Sequence, residues 1–143
     1  MKNLIELLKK AKRYVILLLI MMISVPVIIA ITRIEPITGA QIFFGLILLA
    51  FLYIGYDSFK KHGQKKLESA KITVVSFCSA AIIVSILVIT VFLIEIKVSP
   101  IENTELIGQF ASMAFTAIIF NLFLGGIVSF ISGLVGAYAA EKL

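Results

Sequence analysis

Residues 121–140 read NLFLGGIVSFISGLVGAYAA. The stretch carries no charge, and small residues recur wherever one helical face comes round. At steps of four, Asn121, Gly125, Ser129, Gly133 and Ala137 make one ridge, and Ser132, Gly136 and Ala140 make part of a second. In water these glycines weaken a helix, each by about 1 kcal/mol against alanine. In lipid the balance reverses: apolar surface gains nothing by leaving an apolar solvent, so helices associate through close backbone approach, which ridges of small residues permit. The stretch is therefore read as the packing face of a transmembrane helix, and the other helices are expected to meet or shield it.

Composition points the same way. The chain of 143 residues is 61% hydrophobic with a mean hydropathy of +1.13, whereas soluble domains are usually about half apolar. A globule this small leaves much of its surface exposed, so the solvent for that surface is lipid. Thirteen basic residues face eight acidic ones, a net charge of +5. The charges are confined to short segments, which indicates membrane orientation and not nucleic-acid binding. The single cysteine, Cys78, lies in an apolar run and excludes an intramolecular disulfide; its setting makes the thiol an inert packing residue.

Outward from the last helix, the chain reads as one all-α membrane domain, 1–143, with four transmembrane helices in two antiparallel hairpins. Residues 1–13 form a basic amphipathic arm, with Leu4, Leu7, Leu8 and Ala11 on one face and Lys2, Lys9, Lys10, Lys12 and Arg13 mostly on the other. It is read either as a short helix lying in the headgroup region before the chain turns into the bilayer or as the basic flank of the first span. The first span is 14–32, retained and not cleaved as a signal, because its apolar run is long and Ile28 stands where a small residue is wanted. Pro26 inside it predicts a kink. Residues 33–36 leave room only for a tight turn into the second span, 37–59, whose Tyr53 and Tyr56 favour the far interface. A polar loop, 60–71, holds His62, read as a solvated histidine, and Gly63, a candidate left-handed cap. The third span is 72–94, with small pairs Ser76/Ala80 and Ala81/Ser85 to receive the glycine ridge, and Glu95 and Lys97 close it at the outer interface.

Ser99, Pro100 and Glu102 combine a serine cap, a proline at the first helical position and an acid three residues on, a helix start. The run from there to Ala140 is about 60 Å long at 1.5 Å per residue, roughly twice a bilayer core. Residues 99–109 are accordingly placed outside as a helical extension, and the span proper at 110–139. A break at Gly125–Gly126 is the rival, but halves of some fifteen residues are short for spans.

The arm and the loop each carry five basic residues and Lys142 adds one, eleven in all, against Arg33 and Lys97 on the other side. That bias places both termini in the cytoplasm. High isoleucine and lysine fit a prokaryotic plasma membrane.

No nucleophile–base set, carboxylate pair, zinc spacing or phosphate loop is found. Catalytic residues, cofactors and metals are therefore all read as none. Asn121 is the polar candidate near the centre of the last span. Its first reading is interhelical glue worth about 0.6–2 kcal/mol; its second is a polar path with Gly125 and Gly126, which requires an oligomer. The expectation is a non-enzymatic subunit or assembly component of a membrane complex, partnered by lipid and by its own copies or another membrane subunit. A small oligomeric channel or transporter is the alternative.

Overall fold

The computed structural model describes residues 2–62, 65–98 and 104–143. They form four helices: α1, Lys2–Thr32; α2, Pro36–His62; α3, Lys66–Val98; and α4, Thr104–Lys142. All four are long and apolar enough to cross a membrane. The expected signals at Gly63 and at Ser99, Pro100 and Glu102 lie outside the described residues.

Two continuities decide between readings that the sequence leaves open. The basic arm and the first span are one unbroken helix, α1, which passes through both Arg13–Tyr14 and Pro26. Tyr14 is 2% exposed, so the junction is anchored in the bundle and the arm is the basic flank of the first span. α4 is likewise continuous through Gly125–Gly126. A helix of 39 residues extends about 58 Å, so it outruns a bilayer core without breaking.

α1 stops where Arg33 takes a left-handed conformation, φ 54°. The Arg33 and Ile34 amides then donate back to the carbonyls of Ala30 and Ile29, each at 3.4 Å. This is the pattern by which a helix end satisfies its last carbonyls. Glu35 accepts from the Gly39 amide at 2.8 Å and so opens α2, and Pro36 takes the first helical position, where its missing donor costs nothing. Three residues thus reverse the chain. Gly39 then lies so close to Ile29 that an added Cβ would stand 2.6 Å from Ile29 Cγ2.

α2 and α3 each touch both α1 and α4, while α1 and α4 do not touch one another among the described residues. The core is confined to one end of this arrangement. It is made by Ala11, Tyr14 and Leu18 of α1, Ile47, Phe51 and Ile54 of α2, Ile72, Phe77 and Ala80 of α3, and Ala137 and Ala140 of α4. Toward the other end the helices present their apolar side chains outward, among them Ile86, Val88 and Val91 of α3 and Phe115, Phe120 and Phe123 of α4. The molecule has a closed end and an open end. Since lipid solvates leucine as well as protein does, only shape and polar contacts hold the closed end together.

Candidate functional site

The closed end is built on glycine. A Cβ on Gly55 of α2 would stand 2.3 Å from the Gly133 carbonyl oxygen of α4, and one on Gly136 would stand 2.1 Å from the Leu52 carbonyl oxygen. On its other side Gly133 faces α3, where a Cβ would come within 2.6 Å of Thr73 Oγ1 and 3.1 Å of Ala70 Cα. α4 is therefore wedged between two neighbours at van der Waals distance from their backbones. Gly125 approaches the ring of Phe77, which meets Phe51 edge-on with centroids 5.4 Å apart.

The ridge residues take three positions. Ser129 and Ala137 are fully buried, and Gly125 is half-buried. The partial ridge of Ser132, Gly136 and Ala140 is also buried, with Gly136 against α2. Asn121, one turn beyond Gly125, is exposed. Asn121 and Gly125 are thus not enclosed together within one chain, and Gly126 has open space where a side chain would project. On α3, Ala70 and Thr73 face the ridge, earlier than the pairs singled out from spacing; Ser76 and Ala80 are buried, while Ala81 and Ser85 are half-buried.

Hydroxyls at this end turn inward on their own helices. Thr73 donates to the Ser69 carbonyl at 3.0 Å, Ser76 to Ile72 at 2.7 Å, Ser58 to Gly55 at 3.2 Å and Ser129 to Gly126 at 2.9 Å. Such back-bonding satisfies a buried donor without requiring a partner from the next helix. Ser69 Oγ is buried with no hydrogen-bond partner among the described residues.

Two charged clasps close the same end. Asp57 on α2 is 8% exposed. Tyr14 donates its hydroxyl to Asp57 Oδ2 at 2.8 Å and accepts from Arg13 Nη2 at 2.6 Å. The Arg13 guanidinium also pairs directly with Asp57 and lies 4.5 Å from the centroid of the Tyr14 ring. Lys61 reaches Asp57 Oδ1 at 3.3 Å. Both oxygens of the carboxylate are taken, so the arrangement holds two helices and leaves no free base. In the second clasp, Lys66 at the start of α3 pairs with Glu141 at the end of α4 and lies 3.6 Å from the centroid of the Tyr138 ring.

The Asp57 clasp was not singled out from the sequence. Two signals pointed to it: a carboxylate inside an otherwise apolar span, and an Arg-Tyr pair at the mouth of the preceding one. A tight hairpin brings those two ends to one level. Among the described residues no three His, Cys, Asp or Glu side chains gather as a metal site would require. Compared with protein-family models, curated proteins and solved structures, the chain matches none.

Proposed function

We propose that this chain is a non-enzymatic component of a membrane complex, working through helix association, with both termini in the cytoplasm. The observation that carries the reading is Asn121, a primary amide on the exposed side of α4 among Phe115, Ile119, Phe120 and Phe123, all exposed. An amide facing hydrocarbon without a partner is costly, and a neighbouring helix that accepts its hydrogen bonds removes that cost. The clasps support the same reading, since they tie Arg13, Asp57, Lys61, Lys66 and Glu141 into a rigid end. The open end is left as the surface for association.

The test is extraction in mild detergent followed by cross-linking and identification of what remains bound. Wild type is expected to retain a second copy or another membrane subunit in fixed ratio, and Asn121→Leu to lose it. A wild type that runs as a monomer with nothing bound overturns the proposal. The channel or transporter reading requires several copies, because Asn121 lies outside the single chain. It gains if liposomes carrying the purified protein pass ions or solutes and Asn121→Ala abolishes that flux.

A further inference from the structure

One face of α1 passes the Asp57 clasp at Arg13 and carries further cations that neither clasp uses. Lys9, Lys12, Arg13 and Ile16 follow one another at helical spacing, and with Lys10 they line an open concavity of about 480 Å³. Two of its cations are already matched: Lys10 Nζ stands 3.0 Å from Glu6, and Arg13 pairs with Asp57. Lys9 and Lys12 are exposed and have no ion-pair partner among the described residues.

Beyond Ile16 the same stripe continues through Ile20, Ile23 and Val27, each about half exposed. Val27 lies eleven helical steps beyond Ile16, a rise of about 16 Å. That is roughly half of a hydrocarbon core about 30 Å thick. A pair of lysines without ion-pair partners among the described residues thus stands at the head of an exposed apolar stripe one leaflet deep, and lysine stems lie along apolar surface while their ammonium groups stay wet.

We propose that this face binds an anionic phospholipid of the adjoining leaflet, its phosphate between Lys9 and Lys12 and an acyl chain along Ile16, Ile20, Ile23 and Val27. A zwitterionic lipid brings its own ammonium into a field already positive, so charge selects the headgroup. Each basic residue near a membrane surface favours anionic lipid by roughly fivefold.

The chain contains no tryptophan, so Ile16→Trp gives a unique reporter. Reconstituted in phosphatidylcholine vesicles, this variant is expected to be quenched at a several-fold lower mole fraction of brominated phosphatidylglycerol than of brominated phosphatidylcholine. Adding Lys9→Gln and Lys12→Gln brings the two lipids to parity, whereas Lys9→Arg with Lys12→Arg keeps the preference. Phe123→Trp, on the exposed face of α4, shows no preference. Equal quenching at Ile16→Trp overturns the proposal, as does a preference that survives the double glutamine change or recurs equally at Phe123→Trp. Loss of the preference on adding inorganic phosphate also overturns it, because it marks a site for free phosphate.

Discussion

Asp57 is the residue on which the junction of α1 and α2 turns. A buried carboxylate is tolerable only with its charge matched and its lone pairs filled, and Tyr14, Arg13 and Lys61 do both. Removing one partner leaves the others in place, and Arg13 is itself 46% exposed on its side chain, so the loss falls below that of an isolated buried pair. Arg13→Gln is expected to lower stability by about 1–3 kcal/mol, the range for leaving a buried acceptor short of a partner. Tyr14→Phe costs about 1 kcal/mol by the same scale, because Asp57 keeps both cations. Unfolding in mixed micelles by added denaturing detergent measures both, and an Arg13→Gln protein as stable as wild type contradicts the clasp. Lys9→Gln provides the control for charge alone, since Lys9 is exposed and outside the network.

At the scale of the element, close approach and open space separate glycines that look alike in the sequence. Gly55 and Gly136 each have a neighbouring backbone where a Cβ would stand, whereas Gly45 and Gly126 have nothing within 4 Å. Backbone cannot swing aside as a side-chain tip does. Gly55→Ala and Gly136→Ala are therefore expected to force α2 and α4 apart, at the 1–3 kcal/mol typical of overpacking. Gly45→Ala and Gly126→Ala should be neutral or slightly stabilising, since alanine is the better helix former by about 1 kcal/mol. The same detergent titration compares the four, and equal effects would remove the close crossing from the account.

That contrast also shows what could be read in advance. Steps of four along residues 121–140 locate a face of small residues, because helical periodicity is local. Whether Gly126 or Gly136 meets another helix depends on residues some eighty positions away, and no local pattern contains that. The four helices follow from runs of apolar residues bounded by Arg33–Pro36 and by the lysine-rich segment after Phe59. The Asp57 clasp did not follow, because its partners stand 43 and 44 positions apart and a carboxylate near a lysine-rich loop looks solvated. The sequence left the arm either turning away or continuing the first span for a related reason. Arg13 and Tyr14 look like an interface residue pair, and only their contacts with α2 show that the helix has no cause to turn.

For the whole molecule, charge and packing lie at the same end. Lys9, Lys12, Lys60 and Lys65 are exposed around the clasps, whereas the α1–α2 turn at the open end carries Arg33 and Glu35, which offset one another. Moving several cations across a bilayer is opposed by both the hydrocarbon and the membrane potential, at about 2.3 kcal/mol per charge per 100 mV for the latter alone. The closed end should therefore stay on the cytoplasmic face. With Cys78→Ser as background, Lys60→Cys and Glu35→Cys place single thiols at opposite ends without touching either clasp. In intact cells a membrane-impermeant maleimide is expected to label Glu35→Cys and to reach Lys60→Cys only after the membrane is permeabilised. Labelling of Lys60→Cys in intact cells reverses the orientation. Equal labelling of both shows two populations, and an association surface at the open end would then face both sides of the membrane instead of one.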